Sequence, residues 1–286
     1  MCGCHINGMQ ADASIDVVCF NGSSSPMRIA VVTETYPPDI NGVAHTLSKT
    51  VEGLKARGHA LWLIRPRQNN DTVPAGRSLA DETLVRGMPI PFYKHLKMGF
   101  PAKRALTRLW TLHRPDVVHI ATEGPLGWAA RGICVQRQWP FTTAFHTRFP
   151  EVLKAAMGLP LWLGYALFRH FHRPSAGVMV PTQGVLHLLQ KRGFQNLKLW
   201  THGVDTELFE YASKSKPCEQ LFHLQRPISI FVGRVSYEKN IETYLKMPFE
   251  GSKVVCGVGP LEADLKPKYP HVTWLGLLPR PELAKI

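Results

Sequence analysis

An α/β fold of two Rossmann-like domains on parallel sheets, the second incomplete, is predicted by three features of this 286-residue chain. Strand and helix patterns alternate along most of its length, as parallel strands joined by crossover helices require. The strand runs at 29–32 and, but for Ser229, 228–232 are apolar, the mark of strands buried on both faces. Each of these two strands leads through a loop suited to a nucleotide into a helical pattern.

The first unit begins at Met27. Pro37 and Pro38 break the strand at 29–32, and Gly42 precedes a helix with Val43, Leu47, Val51 and Leu54 on one face. Arg57 and Gly58 close that helix before a second strand at 60–64. Further strands are expected at 83–90, 116–120, 141–145, 176–180 and 196–200. Helices are expected at 102–113, 125–138, twice within 150–172, and at 183–192. The first domain spans 27–200, and a polar, turn-rich linker covers 201–226. The second domain, 227–286, offers a strand at 228–232, a helix at 241–247, a strand at 253–256, the turn Gly257-Val258-Gly259-Pro260 and a strand at 272–275. A helical start at 281–286 follows, and an α/β domain ending there leaves its sheet edge uncovered. Residues 1–26 read as a disordered N-terminal extension, with NGSSSP at 21–26 as its linker and Met27 as the expected start.

The composition is globular, 44% hydrophobic, with a formal charge of +13 that favours polyanionic partners: nucleotide phosphates, anionic lipid or nucleic acid. The six cysteines show no CxxC spacing and fit a reducing cytoplasm. Cys2, Cys4 and His5 lack a second ligand pair, so no metal site is assigned. No run reaches the length of a membrane span, and no signal peptide precedes Met27.

Two segments carry the chemistry. In Gly233 to Asn240, Gly233 lets a ligand approach the backbone, while Arg234 and Lys239 supply charge beside a helix start, the needs of a bound diphosphate. A plain strand-to-helix turn with two solvated cations is the alternative. The stretch 150–173 mixes Leu, Trp and Phe with Lys, Arg and His. It is read as a helix pair packed on the sheet, with a membrane-surface or acceptor-lining role as the alternative. The basic run Lys94, His95, Lys97, Lys103, Arg104 and Arg108 carries the same ambiguity.

From Met27 to Ile286 the chain resembles the retaining nucleotide-sugar glycosyltransferases of family four, of the GT-B fold with two facing Rossmann-like domains. The matching blocks are the entry segment to Gly42, PDVVHI at 115–120, AFHTRFP at 144–150, HGVDTELF at 202–209, and Gly233 to Lys239. Within that family it looks most like bacterial α-mannosyl- and α-glucosyltransferases acting on lipid or glycan acceptors.

The resemblance implies that Gly42 meets the donor diphosphate from the first domain. From the second, Gly233, Arg234, Lys239, Gly257 and Gly259 hold it, the two cations stabilising the leaving nucleotide. His146 contacts the transferred sugar or the acceptor, with a structural histidine as the alternative. Glu123, Arg148 and Glu151 orient the acceptor. No metal or other cofactor is implied, and no Asp-x-Asp pair exists in the sequence. The donor is expected to be of GDP-mannose or UDP-glucose type, the location cytoplasmic, with peripheral contact to anionic membrane as an extension. Two places after His119, where some relatives have histidine, this chain has Ala121. Relatives also continue into a paired-glutamate segment and a returning helix, so the chain is expected to be a fragment of reduced activity.

Rival classes predict other residues. A nicotinamide oxidoreductase or epimerase needs G-x-G-x-x-G after the first strand and an acid ending the second, where the chain has Ile64-Arg65-Pro66. A nucleic-acid binder lacks its recognition motif here. A non-catalytic fragment that binds acceptor or lipid surface stays as the alternative.

Overall fold

The computed structural model describes residues 25–39, 41–68, 71, 78–79, 81–90, 93–210, 221 and 223–286. The expected extension over 1–26, but for its last two residues, lies outside them, as do Cys2, Cys4 and His5 and part of the 201–226 linker. The chain divides into two compact units between His202 and Gly203.

The first unit runs β1 (Arg28–Val32), α1 (Gly42–Ala56), β2 (Ala60–Pro66), β3 (Ser78–Leu79), β4 (Glu82–Val85), β5 (Gly87–Ile90), β6 (Tyr93–Gly99) and α2 (Lys103–Leu112). It continues with β7 (Val117–Ile120), α3 (Pro125–Arg137), β8 (Phe141–Ala144), α4 (Phe149–Met157), α5 (Leu161–His172), β9 (Gly177–Val180), α6 (Gln183–Lys191) and β10 (Leu197–Leu199). Its main sheet has the order β10-β9-β8-β7-β1-β2-β4-β3, parallel throughout except for β3 against β4. The predicted α/β class is therefore observed. The order reverses at β1, with β2 on one side and β7 on the other, and ligands of open parallel sheets bind outside the strand ends at such a reversal.

Side chains of β1 alternate between two cores. Ala30 and Val32 pack with Ile64, Ile120, Leu106, Trp110 and Leu126, under α2 and α3. Ile29 and Val31 pack with Leu61, Leu63 and Val51, under α1. A further cluster seats α5 and α6 on β9 through Phe168, Tyr165, Leu189, Val178 and Val180. A strand with apolar residues on both faces can only be satisfied by helices on both sides of the sheet.

The second unit runs β11 (Ile228–Val232), a 3-10 turn (Tyr237–Lys239), α7 (Ile241–Lys246), β12 (Ser252–Cys256), α8 (Glu262–Lys268), β13 (Thr273–Gly276) and α9 (Arg280–Leu283). Its three strands are parallel in the order β11-β12-β13. Val235, Ile241, Leu245, Val255, Leu265 and Val272 form the core. Lys253 is buried. Its ammonium donates to the carbonyls of Leu245 (2.8 Å) and Met247 at the end of α7, where a helix presents unpaired oxygens and partial negative charge.

Three expectations are corrected. The single strand at 83–90 is two strands in different sheets: β4 pairs with β2, whereas β5 pairs antiparallel with β6. An apolar run does not encode a change of partner. Residues 94–97 of the basic run lie in β6. Helix α8 was not anticipated between the turn at 257–260 and the strand at 272–275; Pro267 falls in its last turn. Lys239 does not open a helix. It ends the 3-10 turn, and Asn240 at φ +49 separates it from α7, a left-handed conformation that asparagine tolerates better than most residues.

Phe171, fully buried against Trp128 and His172, is one of the largest side chains of the first unit's core. Phe171→Ala is expected to destabilise that unit by about 3–5 kcal/mol, read as a lower urea midpoint at unchanged slope.

Candidate active site

The loop after β1 is tied down by its own side chains. Thr35 Oγ donates to Asp39 (3.0 Å), Asn41 Nδ2 donates to Thr35 Oγ (2.7 Å), and Gln68 Nε2 donates to Asp39 (3.0 Å). Asn41 also caps α1 by accepting the Ala44 N–H at 2.9 Å. That leaves Gly42 as the first residue of the helix, where an N–H has no intrahelical acceptor. A Cβ at Gly42 would meet nothing within 4 Å, so there is room in front of it.

The same loop supplies a residue that sequence reasoning missed. Glu34, two residues past β1, is half-buried, and its carboxyl accepts N–H groups from Gly99, from Leu126 (3.0 Å) and from Gly127. It thereby caps α3 and holds the end of β6. Burial pushes its pKa from 4.5 up to about 7, against the opposing pull of those three N–H groups. A Cβ at Gly124 would lie 2.2 Å from Glu34 Oε1, so a larger residue there would displace the carboxyl. The only signal in the sequence was a lone acid two residues after a buried strand.

His146 lies two residues past the C-terminal end of β8. Its ring stands 5.8 Å from Trp200 and 5.4 Å from His202, and Trp200 is 6.0 Å from His119. Both ring nitrogens of His146 are buried without a partner among the described residues. Burial, then the neighbouring His202 and His119, lower its pKa to about 3; burial lowers that of His119 to about 4. His146 is therefore a neutral imidazole at physiological pH, with one donor and one acceptor for a hydroxyl. His119 spends Nδ1 on Thr142 Oγ at 2.9 Å. Neither Trp200 nor His202 was anticipated beside His146, since α4, α5, β9, α6 and β10 separate them from it.

The acceptor-side residues differ in exposure. Arg148 and Glu151 pair with each other (Nε to Oε1, 3.0 Å), and Tyr165 donates to the same Oε1 at 2.7 Å. Glu123 faces inward. Its side chain is 2% exposed and sits 3.4 Å from His172 Nε2, with burial raising its pKa.

In the second unit, Gly233 ends β11 and its N–H donates to the Cys256 carbonyl at 3.0 Å. The β12 loop lies directly against it. A Cβ at Gly257 would sit 1.9 Å from the Gly233 oxygen, and one at Gly259 would sit 2.2 Å from that of Val235. These two glycines let the neighbouring strand-end loops after β11 and β12 touch, and Arg234 stands on the first of them. Arg234 is half-buried and Lys239 exposed.

With this geometry in view, the comparisons with known proteins align. The family model for Glycosyltransferase Family 4 matches residues 40–208. GDP-mannose-dependent alpha-mannosyltransferases of Mycobacterium tuberculosis and Corynebacterium glutamicum are 28% and 26% identical over 270 and 265 residues. Each alignment covers 91% of this chain, but 70% and 64% of the relatives, so the chain spans about two thirds of their length. Among solved structures, the sucrose-phosphate synthase of Thermosynechococcus elongatus superposes with a TM-score of 0.66 at 16% identity, over 91% of this chain and 72% of that one. The fold is thus of the GT-B type.

Titration of Glu34 has a measurable consequence. With its folded pKa above the unfolded value, Glu34 favours folding fully below about pH 4.5, and that contribution is lost as pH rises to about 7. His146 and His119 run the other way, their contribution lost as pH falls below 6.5. The stability difference between wild type and Glu34→Gln cancels the histidines. It is expected to shrink by up to about 3 kcal/mol between about pH 5 and pH 8, measured by urea unfolding at several pH values.

Proposed function

The chain belongs to glycosyltransferase family 4, and on that premise we propose that it moves a hexose, mannose before glucose, from a nucleotide sugar to a lipid or glycan acceptor. Transfer keeps the anomeric configuration and uses no metal. The preference for mannose rests on the two relatives named for GDP-mannose. The observation that carries the reading is the second unit's pair of touching loops, where Gly257 and Gly259 pack against the segment that carries Arg234 and leads to Lys239, the residue types a diphosphate requires.

On this reading Arg234 and Lys239 neutralise the diphosphate and stabilise the charge that builds on it as the bond from the anomeric carbon to phosphate oxygen breaks. The acceptor hydroxyl attacks on the same face. Its oxygen bonds to the anomeric carbon, and its proton passes to the departing phosphate oxygen, so no protein base is consumed. With one guanidinium and one ammonium assigned to the phosphates, the work of a metal is covered by side chains. Gly42 offers its N–H to the donor from the first unit. His146 offers a neutral donor and acceptor to a sugar hydroxyl, and Arg148 with Glu151 orients the acceptor. Glu123 acts at one remove, by fixing the loop after β7 through His172. Peripheral contact with an anionic bilayer on the cytoplasmic side completes the proposal.

Calorimetric titration with GDP-mannose and with UDP-glucose tests it. Binding of one donor is expected, weakened about 10–100-fold by Arg234→Ala or Lys239→Ala, the scale of one hydrogen bond to a charged group. Wild-type affinity in both variants, or no binding of either donor by the wild-type chain, would overturn it.

A further inference from the structure

At the edge of the first unit's main sheet where its strands begin, a cavity of about 380 Å³ is bordered by the first residues of β1 and β2 and the end of α2. Small-molecule sites occupy roughly 300–1,000 Å³, so the space is of ligand size. Strands β1, β2, β7 and β8 are parallel, which puts this edge opposite the strand ends that carry His146. The function proposed above makes no use of it.

One side of the cavity is aromatic. Trp62 on β2 and His113 at the end of α2 meet edge to face with ring centres 5.4 Å apart, and the buried Pro115 extends the wall. The Trp62 indole N–H donates to Thr83 Oγ at 3.0 Å, which fixes the ring. Trp110 lines the same cavity, and its own indole N–H is buried with no acceptor among the described residues. A buried N–H without a partner is costly, and an oxygen brought in through the cavity is the partner it lacks. Flat, rigid walls favour a flat, rigid ring.

The rest of the border is basic. Arg28, Lys55 and His59 line the cavity against one acid, Asp81. His59 Nδ1 accepts the Met27 N–H at 3.2 Å, so the proton of the neutral imidazole sits on Nε2 as a donor. Lys55 pairs with Asp81 at 2.9 Å, but both side chains are exposed, and such a pair is weak enough to share its cation with a ligand. Arg28 is already held by Asp116 at 3.0 Å. Donors at His59 and Lys55 reward a carboxylate and repel an amine.

We propose that this cavity binds a planar aromatic carboxylate that carries an oxygen on the far edge of its ring. The ring lies against Trp62 and His113, the carboxylate meets His59 Nε2 and Lys55, and the ring oxygen accepts the Trp110 N–H. The site is independent of the function proposed above.

Calorimetric titration of the full 286-residue chain with para-hydroxybenzoate tests this. Saturable binding is expected. It should weaken about tenfold or more in His59→Ala, which loses a hydrogen bond to a charged group, and about fivefold in Trp62→Leu, which loses the stacking face. Benzoate, without the ring oxygen, should bind wild type about fivefold more weakly than para-hydroxybenzoate. That preference should vanish in Trp110→Phe, which keeps the wall and removes the N–H; a merely structural tryptophan would leave it unchanged. Unchanged melting confirms that the variants fold. The proposal is overturned by absence of binding to wild type, by wild-type affinity in His59→Ala, or by a preference that survives Trp110→Phe. Displacement of para-hydroxybenzoate by GDP-mannose would also overturn it, by placing the ring in a donor site.

Discussion

The buried carboxyl of Glu34 is the junction on which the working end of the first unit depends. It gathers the end of β1, the end of β6 and the first turn of α3 around one group. Unpaired helix N–H groups and a buried carboxyl are each costly alone; together they satisfy one another. The loop that positions Gly42 starts one residue later, and its Thr35, Asp39 and Asn41 contacts are built on a strand end that Glu34 has fixed. The carboxyl occupies the space that a side chain at Gly124 would take.

Parallel sheets push chemistry to the strand ends, because the strands themselves are covered on both faces. The two units use this in different electrostatic ways. The first unit gathers imidazoles that burial keeps neutral, His146 above all, beside Trp200. Neutral donors and acceptors suit hydroxyls and leave anions unrewarded. The second unit places Arg234 and Lys239 on loops brought into contact by Gly257 and Gly259, an arrangement fitted to phosphate.

The hairpin of α4 and α5 illustrates how one sequence stretch serves two demands. One side of α5 supplies Tyr165, Phe168 and Phe171 to the core, so the packed helix pair expected from the sequence is observed. The other side retains Trp162, Leu163 and Leu167 in water. Composition alone pooled these residues, since both sets are aromatic or aliphatic; the helical period sorts them only once the buried side is known.

By itself the sequence determined what local pattern and short motifs can carry. The α/β class, the strands at β1, β2, β7 to β9, β11 and β12, the helix opening at Gly42 and the loop of Gly233, Arg234 and Lys239 were all legible, because a buried parallel strand is a continuous apolar run and a glycine or proline marks its end. Tertiary structure alone decided which distant residues meet. The division of 83–90 between two sheets, the union of His146 with Trp200 and His202, the inward turn of Glu123 to His172 and the capping of α3 by Glu34 all join positions far apart in the chain. The physical reason is that a strand's partner and a buried group's counterpart are chosen by what else is packed beside them, and no run of neighbouring residues records that choice.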